Sequence, residues 1–121
     1  MKFLTIDHVQ LAMPAAAEDQ ARAFYGDVLG LSEVEKPAEL AKRGGVWFQA
    51  DGFQVHLGVE AGFQPAHKAH PAFVVDDLDA FIARAQADGR ETDVTQPPLP
   101  GFRRAHIFDP FGNRIELMER L

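Results

Sequence analysis

Between residues 5 and 13 apolar and polar side chains alternate. Val9, Leu11 and Met13 fall on one face and His8 and Gln10 on the other, which is the two-residue period of a strand with one buried side. Pro14 ends the run, and over residues 15–29 the period changes: Ala21, Phe24, Val28 and Leu29 recur near helical spacing in an alanine-rich stretch, with Gly30 placed as a C-terminal cap. After a loop containing Pro37, residues 45–50 and 53–60 read as two strands joined by the Asp51-Gly52 turn. Residues 61–68, with Gly62 and Pro65, read as a linker. The order of elements then begins again. A strand is predicted over 70–75 and a helix over 78–87, halting before Gly89 and opened by Asp76 and Asp77, whose carboxylates suit the free N–H groups of a first turn. A proline-rich loop, 96–101, leads to a strand over 103–108, a turn at Asp109-Pro110-Phe111-Gly112-Asn113 and a last strand over 114–118. Each half is thus β-α-β-β, with room for a further short strand in the weakly patterned stretches 31–42 and 90–96.

A duplication should hold corresponding residues at a nearly constant separation. Phe48 and Phe108, Gly52 and Gly112, and His56 and Glu116 are each 60 apart (108 − 48, 112 − 52, 116 − 56), and His8 and His70 are 62 apart (70 − 8). Phase agrees: His8, His56, His70 and Glu116 each stand opposite an apolar set, Val9/Leu11, Val55/Leu57, Phe73/Val75 and Ile115/Leu117. Four matched strands that each offer one ligand-type side chain on the non-apolar face predict convergence of His8, His56, His70 and Glu116 on one divalent metal. Imidazole and carboxylate suit Zn, Ni, Mn or Fe(II), and the lack of clustered acids argues against calcium. Protein ligands in an octahedral field leave positions for two neighbouring substrate oxygens.

Composition narrows this reading. The chain has no cysteine, which removes disulfides, thiolate ligands and a cysteine nucleophile and leaves histidine and carboxylate as the strong ligands. Its 121 residues, 46% apolar and 25% charged, predict one globular domain, and a net charge of −6 without a Lys/Arg cluster predicts no nucleic-acid partner. With no apolar run of membrane-spanning length and no signal-peptide pattern at the N-terminus, the expectation is a cytoplasmic protein with no membrane partner and a small-molecule substrate.

The opening Ile6-Asp7-His8-Val9, the helix text Ala23-Phe24-Tyr25-Gly26-Asp27-Val28-Leu29-Gly30-Leu31 and the closing Asp109-Pro110-Phe111-Gly112-Asn113-Arg114-Ile115-Glu116-Leu117 resemble the vicinal oxygen chelate superfamily. That superfamily includes glyoxalase I, fosfomycin-resistance thiol transferases, extradiol dioxygenases and bleomycin-resistance proteins. The resemblance covers nearly the whole chain. It implies an α+β fold of two paired βαβββ modules forming a curved, incompletely closed mixed sheet around a metal cleft. It further implies a metal held by His8, His70 and Glu116, and a homodimer whose sites can draw ligands from both chains. Module one would span about 1–60, the linker 61–68 and module two about 69–121, within a single domain over 1–121. His56 stands where glyoxalase I carries a metal-binding glutamate; this departure leaves three histidines and one carboxylate.

Other polar residues carry weaker signals. His67 falls in the linker and reads as solvated, whereas His106 lies on a cleft-forming strand, as a substrate contact, a group supporting the ligands or an acid-base group. Arg103 and Arg104 are candidates to anchor an anionic substrate, and Trp47 to line its pocket; Phe24 and Tyr25 read as core. The leading expectation is a glyoxalase-like metal-dependent lyase, isomerase or thiol transferase, in which Glu116 and His56 move a proton. A metal-free protein that sequesters an antibiotic or other small molecule is the alternative of a different class. A ring-cleaving Fe(II) dioxygenase ranks below both, because Tyr25 is the one tyrosine that could serve as an acid. Substrate choice lies in the loops 36–45, 61–69 and 96–104, whose conformations the sequence does not fix.

Overall fold

The computed structural model describes residues 1–121 and divides them into two units, Met1–Phe63 and Gln64–Leu121. In the first, β1 (His8–Met13) is followed by α1 (Glu18–Ala21), which runs directly into a π-helical segment (Arg22–Val28), then β2 (Ser32–Val34), the single turn α2 (Ala38–Ala41), β3 (Val46–Gln49) and β4 (Gln54–Val59). Their sheet order is β1-β4-β3-β2, with β1 parallel to β4 and the remaining pairs antiparallel. A parallel pair needs a long crossover, which the helical stretch between β1 and β2 begins. The second unit holds β5 (Ala72–Val74), α3 (Leu78–Ala87), β6 (Thr92–Asp93), β7 (Phe102–Phe108) and β8 (Arg114–Arg120), in the order β5-β8-β7-β6 with β5 parallel to β8. The protein is therefore α+β, with two mixed four-stranded sheets of the same topology.

The predicted period breaks inside the first helix for a definable reason. Leu29 N–H bonds to the Phe24 carbonyl at 2.9 Å, an i to i+5 bond that widens the turn, so the adjacent residues Phe24 and Tyr25 are both fully buried. Their rings meet edge to face at 5.0 Å, and Tyr25 stacks on Phe48 at 5.6 Å. Met13, Val46, Val55 and Leu57 complete that core; Leu78, Ala85, Ala105, Ile107, Ile115 and Leu117 form the core of the second unit. Asp77 caps α3 by accepting from the Ala80 N–H at 3.0 Å.

The two strand-edge predictions at the start of each unit are corrected. β1 begins at His8, leaving residues 5–7 outside it with Ile6 exposed, and β5 begins at Ala72 rather than at residue 70. Pro71 offers no N–H, yet its carbonyl accepts from Glu116 N–H at 2.9 Å, so His70 is held just ahead of the strand by the end of the ladder. The short strands β2 and β6 fill the stretches where one was allowed, while α2 had no signal.

Pairing also corrects the duplication at one place. Trp47 pairs with His56 and Phe48 with Val55, whereas His106 pairs with Glu116 and Ile107 with Ile115. The second hairpin turn is one residue longer, so the register counterpart of Phe48 is Ile107, not Phe108, and that of Trp47 is His106. The longer turn is built on a buried carboxylate: Asp109 Oδ1 accepts from the Phe111 and Asn113 N–H groups, both at 2.8 Å, and Oδ2 accepts from Asn113 Nδ2 at 2.9 Å. Gly52 and Gly112 both adopt φ of +88°, the left-handed backbone each turn requires.

Candidate metal centre

In the second unit Glu116 sits on β8, flanked on one side by β7 and on the other by the start of β5. His106 is its register partner on β7, and Ala72, two residues after His70, its partner on β5. Alternation on β7 sends Ala105 and Ile107 into the core and puts Arg104 and His106 on the opposite face. Three potential ligand atoms, one each from His70, His106 and Glu116, thereby lie within 4.8 Å of one another. His70 Nε2 is 3.0 Å and His106 Nε2 3.6 Å from the same oxygen, Glu116 Oε1. The other oxygen, Oε2, faces Arg104 Nη1 at 3.5 Å, while Arg104 Nε donates to the Pro97 carbonyl at 2.8 Å. Glu116 and His106 are buried, at 5% and 4% exposure.

The hydrogen-bond inventory shows what these atoms lack. His70 Nδ1 lies 2.7 Å from the Lys68 carbonyl, which can only accept, so Nδ1 carries the hydrogen and neutral His70 presents a bare lone pair at Nε2. That lone pair faces a carboxylate oxygen. Two acceptors at 3.0 Å are compatible only with a proton or a metal cation between them. His106 Nε2 is buried with no hydrogen-bond partner. Burial lowers the His106 pKa below the ordinary imidazole value, against the attraction of Glu116 and with the help of His70 and Arg114, which favours the neutral ring and its lone pair. The donor chemistry, nitrogen, nitrogen and carboxylate oxygen with one orphaned buried atom, fits a divalent transition metal.

The first unit brings its own predicted residues together differently. His56 lies between two flat rings, stacked on Trp47 at 3.8 Å and 1° and on His8 at 4.2 Å and 16°. Its Nε2 meets Gln54 Oε1 at 2.8 Å, and His8 Nδ1 meets Asp7 Oδ2 at 2.9 Å, so each imidazole has one nitrogen engaged by a fixed acceptor. Lys36 Nζ sits 5.9 Å over the Trp47 ring. Burial, followed by the charge of His8, lowers the His56 pKa, with Asp7 opposing and Lys36 assisting.

Of the two arginines singled out by sequence, Arg104 reaches Glu116, whereas Arg103 is held by Asp79 at 2.7 Å and Glu119 at 3.3 Å. Both nevertheless border a cavity of about 430 Å³ beside Leu78, Ile82, Val94 and Gln96. The sequence did not place His106 opposite Glu116 and did not single out the Lys68 carbonyl. For His106 the signal was available in the alternation of Arg104 and His106 against Ala105 and Ile107; the 60-residue offset concealed it by aligning Val46, not Trp47, with position 106.

The model of the Glyoxalase/Bleomycin resistance protein/Dioxygenase superfamily matches residues 5–117. A glyoxalase family protein of Bacillus anthracis of known structure is 46% identical, with a TM-score of 0.89 over 100% of this chain and 98% of its own. Lactoylglutathione lyase of Agrobacterium tumefaciens is 25% identical, with a TM-score of 0.71 over 95% and 92% of the two chains. The genomically encoded fosfomycin resistance protein FosX of Listeria monocytogenes, at 18% identity and a TM-score of 0.78 over 99% and 96%, shares the fold. No curated protein matches the chain in sequence.

Proposed function

Because this chain belongs to the Glyoxalase/Bleomycin resistance protein/Dioxygenase superfamily, we propose that it is a metal-dependent enzyme of the glyoxalase-like type, acting on a small molecule with vicinal oxygens as a lyase, isomerase or thiol transferase. One observation carries the reading: His70 Nε2 and Glu116 Oε1 face each other at 3.0 Å while Lys68 fixes the hydrogen of His70 on its far nitrogen. His70 and Glu116 would hold the ion, a divalent Zn, Ni, Mn or Fe, and His8 and His56 are the further ligands proposed. When bound, such an ion supplies Lewis-acid stabilisation of negative charge on two adjacent substrate oxygens.

The remaining work belongs to side chains. Arg104 holds Glu116 Oε2, which orients the carboxylate so that Oε1 faces the imidazoles. Glu116 and His56 are the groups proposed to move a proton. Arg104, His106 and Trp47 are proposed substrate contacts, with Arg103, already paired to two carboxylates, the weaker anion anchor. A homodimer is proposed as the working assembly, and no nucleic-acid or membrane partner is proposed; no helix is long and apolar enough to cross a membrane. The test is metal analysis of the chain purified without a histidine tag and reconstituted: about one equivalent retained is expected, and less than about 0.1 equivalent would defeat the reading.

A metal-free binding protein is a second reading, supported by the Trp47-His56-His8 stack, which offers flat π surfaces to a planar ligand. Tight binding of an aromatic ligand that a chelator leaves unchanged, without turnover, would favour it over the enzyme.

A further inference from the structure

We infer that His106 is a metal ligand rather than a substrate contact, so that the second unit by itself offers His70 Nε2, His106 Nε2 and Glu116 Oε1 to one divalent ion, alongside the donors proposed above. The inference rests on the metal-dependent reading above and deepens it by assigning a donor that neither the duplicated pattern nor the family resemblance supplies.

Two donors each about 2.1 Å from one ion lie about 3.0 Å apart at a right angle and about 3.4 Å apart at the tetrahedral angle. The observed separations from Glu116 Oε1 are 3.0 Å to His70 Nε2 and 3.6 Å to His106 Nε2. The second is beyond hydrogen-bond reach but close to the edge of a coordination polyhedron.

Arg104 Nη1 faces Oε2 at 3.5 Å, and both imidazoles face Oε1. Oε1 could accept from both rings if each Nε2 carried a hydrogen, but at 3.6 Å His106 Nε2 makes no such bond and stays buried and unpaired. One dication between the three atoms satisfies all of them together. The donor set excludes calcium and magnesium, which take oxygen ligands, and selects a first-row transition metal with positions left open for substrate oxygens.

Trp47 occupies in the first sheet the place His106 holds in the second, so only the second carries this set.

The experiment titrates Zn²⁺ into the full-length, tag-free chain by calorimetry and records the visible spectrum of the Co²⁺ form, for wild type, His70→Gln, His106→Gln and, as a control in the exposed linker, His67→Gln. His106→Gln is expected to weaken binding by more than about 100-fold, beyond the 10- to 100-fold typical of losing a merely supporting group, and to change the Co²⁺ bands as His70→Gln does. His67→Gln should match wild type. Thermal unfolding of the metal-free proteins checks that the variants fold; should His106→Gln not fold, His106→Asp, which restores an oxygen donor, is expected to bind more tightly than His106→Ala. Affinity for His106→Gln within about threefold of wild type, with unchanged Co²⁺ bands, overturns the assignment while leaving the metal-dependent reading intact. Absence of binding by wild type removes both.

Discussion

Arg103 and Arg104 are sequence neighbours with opposite fates. Arg103, half-exposed between Asp79 and Glu119, makes solvent-screened surface ion pairs that add little to stability. Arg103→Ala should therefore leave the midpoint of urea unfolding nearly unchanged and metal affinity unaltered. Arg104, whose side chain is 15% exposed, faces Glu116 Oε2, and Arg104→Ala should weaken Zn²⁺ binding by about 10- to 100-fold, the loss expected when a ligand loses its orienting partner. His56 supplies a pH test. Its folded pKa is lowered by burial, so below the ordinary imidazole value near 6.5 the unfolded chain binds more protons than the folded one, and stability falls as the pH drops through that window. Thermal melts in chelator from pH 7.5 to pH 5.5 should show wild type losing stability, and His56→Gln losing less; equal slopes would refute the assignment.

At the scale of elements, the buried Asp109 sets the length of the turn that places His106 opposite Glu116. Asp109→Ala removes the three side-chain hydrogen bonds given above, which should cost about 1–3 kcal/mol by chemical denaturation and weaken metal binding with it. The turn glycines make a matched pair. At Gly52 an added Cβ meets nothing, whereas at Gly112 it meets Pro65 Cγ at 3.1 Å, so both alanine variants carry left-handed strain of about 1–2 kcal/mol and Gly112→Ala should be the less stable of the two. Much of the architecture was readable beforehand because strand and helix periods differ: α3 falls on its predicted residues, and β1, β3, β4, β7 and β8 lie on predicted strands, shifted at their ends. The strand pairing was less so. A five-residue turn against a four-residue one cannot be read from spacing alone, and it decides whether His106 or Ile107 faces Glu116. The π-helical turn escaped a 3.6-residue period, and β2 and β6 are too short to show any.

On the scale of the whole chain, two sheets of one topology have diverged at matching positions. His8, His56 and Trp47 occupy in the first the places of His70, Glu116 and His106 in the second, and the outcome is a ring stack in one and a mixed nitrogen and oxygen cluster in the other. Ligand linkage then gives a global readout: at 100-fold excess over its dissociation constant, a bound ion should stabilise the fold by about 2.7 kcal/mol, raising the unfolding temperature of wild type but not of Glu116→Gln.

The hydrogen on His70 is fixed by a main-chain oxygen of Lys68 and not by any side chain. Position 68 can therefore drift to almost any amino acid without changing which ring nitrogen is left bare, whereas removing a single residue from the stretch before it would move that oxygen and undo the arrangement. What evolution must keep there is the path of the backbone, which a substitution scan would report as indifference and a deletion as loss.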